Sequence, residues 1–185
     1  MAQEVFFDQK IKVLSISNLY PYYYCKMITL ERILKHMAWA NQEIFGKVSK
    51  LEDQALQAFI TDPKWKVGEI LFHITSSADW YGYRLTGVSA EETMPPKNMQ
   101  ELSNLASKLA RYDARLLQLA EAADADMILK RTDGDIKRKR STILSQSVHH
   151  ATEHRAQAVA ALEFAGYKSI NLDDYDLWSY EHLNG

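Results

Sequence analysis

Apolar residues between positions 102 and 123 recur at alternating steps of three and four. This is the spacing of a helix that packs along a seam against other helices. Such a stripe has to be covered by neighbouring helices, so it predicts a helix over about residues 97–123 within a bundle. The members of the seam are Leu102, Leu105, Leu109, Tyr112, Leu116, Leu119 and Ala123.

Three further stretches carry a helical stripe of apolar residues. Glycine and proline are scarce, 7 and 4 in 185 residues, and several of them fall at the ends of these stretches. Pro63 suits the start of a helix, and Gly87 and Gly166 suit helix ends. The predicted helices cover about residues 27–50, 63–86 and 141–165.

A turn signal separates the third and fourth predicted helices. Asp133-Gly134 is typical of a tight hairpin, and its flanks, residues 127–132 and 135–139, predict a short two-stranded ribbon. The fold class is therefore all-α, a four-helix bundle with a short hairpin. Residues 27–185 form the bundle domain, and residues 1–26 form an extra N-terminal segment with a tyrosine-rich end.

The composition limits the partners of this chain. Its net charge is −2, so no general field attracts nucleic acid or an anionic membrane. No apolar run approaches the ~20 residues that span a bilayer, and the first residues lack the pattern of a signal peptide. Cys25 is the single cysteine, which excludes an internal disulfide and fits a reducing compartment. We therefore expect a cytoplasmic protein that binds neither nucleic acid nor membrane.

A run of four basic residues at 137–140 is the one local feature that suggests nucleic-acid binding. Four aspartates nearby in sequence, Asp124, Asp126, Asp133 and Asp135, dilute its charge. No aromatic residues interleave with the basic ones, as they would in a surface that binds single strands. We interpret the run as a solvated face of the hairpin.

The candidate chemistry lies in the histidines. His150 and His154 are four residues apart, so their side chains share one face of a helix, with Cβ atoms about 5–6 Å apart. Two imidazoles at this spacing can bind one divalent ion at about 2.0–2.1 Å each. A third, His73, lies in the second helix among aromatic residues. Chance often supplies such a pair, so the residues alone leave open a metal site or two ordinary helical histidines.

The remaining histidines are expected to lie outside this site. His149 and Glu153 point away from the pair on the fourth helix and should be in solvent. His36 shares a helix face with charged residues, and we expect it to be solvated. His182 lies near the C-terminus and carries no signal.

Polar residues elsewhere have simpler interpretations. Asn41 falls inside the apolar stripe of the first helix, and a buried amide needs hydrogen-bond partners, so it should tie helices together or support a site. Glu31 and Lys35 are interpreted as ordinary charges on a helix surface, and so are Asp113 and Arg115.

From residue 27 onward the chain resembles the DinB-like superfamily, which includes thiol-dependent S-transferases and is related to maleylpyruvate isomerases. Four segments carry the resemblance. They are Met37-Ala38-Trp39-Ala40-Asn41, Leu71-Phe72-His73-Ile74 with the following residues 79–87, residues 150–157 (close to the family's H-x-x-x-H-R-[GA]-Q), and the acidic and aromatic tail at 166–178.

The resemblance implies a four-helix bundle whose connections are not a plain up-down-up-down run. It places the family's metal triad on His73, His150 and His154, and it implies a homodimer. Two departures stand out. Many members have a second histidine where this chain has Glu153, and residues 1–26 have no counterpart in the usual family start.

The resemblance, together with the chemistry of imidazole ligands, implies a metal-dependent enzyme with Zn²⁺ or Ni²⁺ as the ion. A metal-bound water, or a thiolate from a low-molecular-weight thiol, would then act on a small electrophilic substrate. Thiol S-transfer and hydrolysis are both open. Trp80 and Tyr81 are candidate pocket walls, and Asn41 and Gln157 are candidate hydrogen-bonding supports of the ligands.

A different class of function is also open. The bundle could be a non-enzymatic metal-binding or dimerising stress-response protein, in which the histidines are structural. The long seam of the third helix and the aromatic N-terminal segment fit this alternative.

Overall fold

The structure is a computed structural model, and it describes residues 29–88 and 92–184. The predicted extension at residues 1–26, with Cys25 and the tyrosine cluster, lies outside the described residues. The elements are α1 (Leu30–Val48), α2 (Val67–Thr86), α3 (Met99–Leu119), β1 (Asp126–Leu129), β2 (Ile136–Lys139), α4 (Arg140–Phe164) and α5 (Leu177–Asn184), with 3₁₀ turns at Asp53–Gln57 and Leu172–Tyr175.

The four long helices form the expected all-α bundle. α1 and α2 each pack against both α3 and α4, whereas α1 and α2 lie diagonally across the bundle from each other. The chain therefore crosses the bundle between its first two helices, which agrees with connections that are not a plain up-down-up-down run. The packing of α2 on α4 is what places the two histidine-bearing helices side by side.

The apolar stripes meet in one core. The seam of α3 is buried from Leu102 to Leu116, as its spacing predicts, and Leu119 is partly buried at the end. The most deeply buried large side chains come from all four helices. They are Leu34, Met37, Ile44, Phe45, Ile70, Leu71, Ile74, Leu102, Leu109, Leu116 and Leu144, with Leu56 from the first 3₁₀ turn.

The helix ends follow local chemistry, with one correction. Gly87 and Gly166 end α2 and α4 in the left-handed region, with φ of 75° and 97°. The predicted start of the second helix at Pro63 is wrong, because α2 begins at Val67. Pro63 instead lies in a turn closed by the Trp65 N–H donating to the Asp62 carbonyl, at 2.9 Å, and proline suits the second position of such a turn.

The predicted hairpin is present between α3 and α4. Its two strands are antiparallel, with Asp126 opposite Lys139 and Leu129 opposite Ile136. Residues 137–139 of the basic run are exposed, and Asp126 pairs with both Lys137 and Lys139, whereas Arg140 is half-buried at the start of α4. The interpretation of the run as a solvated face is therefore confirmed for its first three residues.

A polar network lies inside the bundle. Asn41 on α1 donates to the Asp113 carboxylate on α3 at 2.9 Å, and Arg155 on α4 donates to the Asn41 amide oxygen at 2.7 Å. Asn41 therefore ties three helices together, as predicted. Asp113 is only 1% exposed and Arg155 only 4%, so the interpretation of Asp113 as a surface charge is wrong.

Burial dominates the electrostatics of this network. It raises the pKa of Asp113 to about 7, although the Asn41 hydrogen bond and the Arg155 charge both lower it. It also lowers the pKa of Arg155 to about 10, so the guanidinium stays protonated at neutral pH. Arg115, the other half of the predicted surface pair, is bound to Asp79 at 2.7 Å.

His36 is the third correction, because the sequence predicts a solvated side chain. It is buried, and its Nε2 hydrogen-bonds the Tyr175 carbonyl at 2.8 Å. The C-terminal tail folds back over α1 and covers it, which the helix face of His36 could not reveal. The imidazole lines a cavity of about 500 Å³ between α1, α4 and the tail.

No helix in the described part of the chain is both long and apolar enough to cross a bilayer.

We predict that Asp113 makes the stability of the protein fall as pH rises. An unfolded aspartate has a pKa near 3.9, and the folded value is about 7, so the native state binds more protons between these values. The free energy of unfolding should therefore drop by up to about 1.4 kcal/mol per pH unit between about pH 4 and 7. Urea unfolding across this range measures the slope.

The variant Asp113→Asn should have a flatter slope over the same window, because it has no proton to release. Asp124→Asn is the matched control, since Asp124 is exposed and its carboxylate accepts the Ser141 backbone N–H, which lowers its pKa. Equal slopes for the native protein and Asp113→Asn would contradict the assignment.

Candidate metal centre

Three histidines converge where α2 packs on α4. The His73 and His150 Nε2 atoms are 3.0 Å apart, and the His154 and His150 Nε2 atoms are 3.1 Å apart. The pair on α4 shares one helix face because of its four-residue spacing, and α2 supplies the third ring from the opposite wall. Among the described residues, this is the group of side chains arranged to hold a metal ion.

The distances fit a shared ion. Imidazole nitrogens bind Zn²⁺ at about 2.0–2.1 Å, so two of them on one ion are no more than about 4.2 Å apart. Both measured Nε2 separations are shorter than this limit. Three nitrogens facing one point suit a cation better than hydrogen bonds alone, because each neutral ring has one N–H and one acceptor.

Gln157 fixes the tautomer of His154. The Trp65 indole donates to Gln157 Oε1 at 3.0 Å, and His154 Nδ1 lies 2.9 Å from the same oxygen. An indole N–H can only donate, so the Gln157 atom between them is the oxygen, and His154 must carry its proton on Nδ1. The neutral His154 ring then presents its Nε2 lone pair to the other two histidines.

The surroundings of His150 and His73 favour their uncharged forms. The pKa of His150 is lowered to about 4, chiefly by burial and then by the neighbouring His154 and His73. Burial also lowers the pKa of His73, with His154 as the second cause. Neutral imidazoles are the form that binds metal, so this cluster is ready for a cation at neutral pH.

Aromatic rings wall the cluster on two sides. Trp65 lies edge-on to His73 and His154, with ring centroids 5.3 and 5.6 Å away. Tyr81 lies edge-on to His150 at 5.8 Å. Tyr81, a predicted pocket wall, lies against the cluster, and Trp65 lies against it on a second side.

The other predicted residues divide between the site and its surroundings. Gln157 contacts His154 directly, at 2.9 Å. Asn41 contacts no histidine and belongs to the buried network instead. Trp80 packs against Tyr81 and Arg84, and the ring over His73 is Trp65. His149 and Glu153 are exposed, as predicted.

The sequence pattern predicted neither the burial of Arg155 and Asp113 nor the contact of Trp65 with the histidines. Arg155 stands four residues after Ala151, in line with the buried side of α4, and Asp113 stands four after Leu109 in the seam. Those spacings were the available signals, but a charged residue in a stripe is more often at its edge. Trp65 had no such signal, because it lies before the helix begins and reaches the site through the turn at Pro63.

Comparison with known proteins agrees with the architecture. A profile of the DinB family matches residues 26–182. The "Protein DinB" of Bacillus subtilis (strain 168) is 26% identical over 160 residues, which is 80% of this chain and 92% of that protein.

We predict that His150 remains neutral in mildly acidic solution when the protein is metal-free, and that His73 titrates below an ordinary histidine. The pKa of His150 is lowered to about 4, so its ring should be uncharged at about pH 6, and burial holds the pKa of His73 below its ordinary value. Long-range ¹H–¹⁵N spectra of chelator-treated protein report the charge of each ring. A midpoint at the ordinary value for either residue would contradict the buried geometry.

Proposed function

The chain belongs to the DinB family, and from that premise we propose that His73, His150 and His154 hold one divalent metal ion at the centre of an active site. The observation that carries the proposal is the convergence of three Nε2 atoms from two helices. Imidazole ligands suit Zn²⁺ and Ni²⁺ among the common ions. Three protein ligands leave open positions for a substrate.

We further propose that the reaction is the transfer of a small thiol to an electrophilic substrate. When bound, a divalent ion supplies Lewis acidity, which favours the thiolate form of a coordinated thiol. A thiol held in this form would attack the electrophilic carbon of the substrate, with formation of the C–S bond as the leaving group departs with its bonding electrons. The thiol proton passes to solvent.

The chain's own residues would prepare this step. Gln157 holds the proton of His154 on Nδ1, so the Nε2 lone pair stays directed at the cluster. The rings of Trp65 and Tyr81 exclude water from two sides, which strengthens electrostatic interactions within the site. Glu153 is exposed and outside the cluster, so we assign it no role as a base.

Hydrolysis by the same site is the nearest alternative, because the same acidity can act on water. A non-enzymatic metal-binding protein is the alternative of a different class. A homodimer, a small-molecule substrate and a cytoplasmic location remain predictions that accompany the proposal.

The proposal predicts about one divalent ion per chain after purification without added metal. His73→Ala and His154→Ala should each lower the bound metal severely, because two imidazoles remain. His149→Ala is the matched control, since His149 is an exposed histidine on the same helix. Elemental analysis by mass spectrometry gives the stoichiometry. Full metal content in both ligand variants would overturn the site.

Activity is tested separately from metal binding. The metal-loaded protein is assayed with a panel of small thiols and a general electrophile such as chlorodinitrobenzene, and consumption of thiol is compared with the His154→Ala variant. Metal-dependent turnover supports S-transfer. Bound metal with no turnover across the panel, including hydrolysable esters, would favour the non-enzymatic alternative.

Gln157 should tune the affinity for the metal. Gln157→Leu removes the acceptor of the His154 proton, and loss of such a hydrogen bond typically weakens metal binding about 10–100-fold. Gln157→Glu keeps an acceptor and should retain most of the affinity. Competition with a chromophoric chelator measures the dissociation constants. Glu153→Leu, at an exposed position of the same helix, is the control, and an equal loss there would show a nonspecific effect.

A further inference from the structure

A line of side chains runs along α2 away from the histidine cluster. His73, Trp80 and Arg84 are separated by steps of seven and four residues, which return to nearly the same face of a helix. Trp80 is 46% exposed, so this face is open to solvent beyond the cluster.

Ring contacts connect the cluster to the end of this line. The Tyr81 ring contacts His150, with centroids 5.8 Å apart, and the Trp80 ring contacts Tyr81 at 5.1 Å. The Arg84 guanidinium carbon lies 4.7 Å from the centre of the Trp80 ring, within the range of a cation–π contact. These contacts therefore connect the histidines to a cation through the buried ring of Tyr81 and the exposed ring of Trp80.

Arg84 is unusual in its charge environment. Arg84 Nη1 donates to the Lys130 carbonyl at 2.8 Å, and its Nε is buried without a partner. No carboxylate in the described ranges lies within ion-pair distance of it. The neighbouring aspartates are engaged elsewhere: Asp79 with Arg115, Asp133 with Arg131 and Asp135 with Lys130.

The hydrogen bond of Arg84 to the Lys130 carbonyl fastens the hairpin to α2, but it uses only part of the guanidinium. The Lys130 carbonyl takes one N–H, whereas a guanidinium has five and a full charge. A partly buried guanidinium beside an exposed aromatic face is suited to a planar anion, which it can bind through two parallel hydrogen bonds.

We propose that Arg84 and Trp80 form a carboxylate-binding subsite, which holds the far end of a thiol cosubstrate whose sulfur is at the histidine cluster. This inference rests on the proposed function. The Arg84 guanidinium lies over Trp80, and seven residues of helix separate Trp80 from His73, which is about 10 Å along the axis. The thiol and carboxylate of the cosubstrate are therefore at opposite ends of an extended molecule.

The test uses Co²⁺ as the bound metal, because a thiolate on Co²⁺ gives a charge-transfer band that reports thiol binding without turnover. The probes are terminal mercaptobutanoate, mercaptohexanoate and mercaptoundecanoate, each compared with the mercaptoalcohol of equal length. The quantity measured is the ratio of the two dissociation constants at each length. Because both probes of a pair carry the same thiol, this ratio reports the contribution of the carboxylate to binding.

We expect the carboxylate to bind about ten-fold more tightly than the alcohol at the intermediate length, the size of effect typical of a hydrogen bond to a charged group. In Arg84→Gln, which keeps donors for the Lys130 carbonyl, the ratio should fall close to one. Arg131→Gln makes the same change of charge on the exposed hairpin and should leave the ratio unchanged.

Trp80→Leu offers a second route, since it removes the ring beneath the guanidinium but not the bond to Lys130. Trp80→Leu should also reduce the ratio, and it replaces Arg84→Gln in the test if that variant does not fold. A ratio near one at every length in the native protein, or a ratio retained in the folded variants, overturns the subsite while the thiol band keeps the proposed function intact. Bound Co²⁺ with no thiol band for any probe overturns both.

Discussion

The bond of Asn41 to two buried charges sets the arrangement of the bundle. Asn41 links the Asp113 carboxylate to the Arg155 guanidinium across three helices. Leaving one of these buried polar groups without its hydrogen bond would cost about 1–3 kcal/mol, so the network opposes rotation of α1, α3 or α4 alone. Hydrophobic packing tolerates small rotations, whereas directional hydrogen bonds weaken with them.

The position of the histidine cluster follows from that constraint. Arg155 and His154 are neighbours on α4, about 100° apart around the helix axis. When Arg155 faces Asn41 on α1, His154 is turned toward α2 and meets His73. The Trp65–Gln157–His154 hydrogen bonds then fix which nitrogen of that ring is free. The rotation of α4 about its axis therefore positions both groups, since it places Arg155 in the buried network and His154 in the histidine cluster.

Burial shifts pKa values in opposite directions in the buried network and in the histidine cluster. It raises the pKa of Asp113 toward neutrality, and it lowers the pKa of His73 and His150. Both shifts favour uncharged forms, because a charged group loses its hydration inside the bundle. At the histidines the outcome is a set of free lone pairs, which is the chemical state that the proposed metal site requires.

The sequence by itself determined the helices, the hairpin and the histidine pair, because these depend on residues close together in the chain. Spacing placed the seam at Leu102–Leu116 in the core and His150 and His154 on one face. Only the tertiary structure decided the burial of His36 and Asp113, the wall formed by Trp65 and the hydrogen bond of Arg84 to the Lys130 carbonyl. Those features depend on which distant segments meet, and local periodicity contains no information about how the chain crosses the bundle.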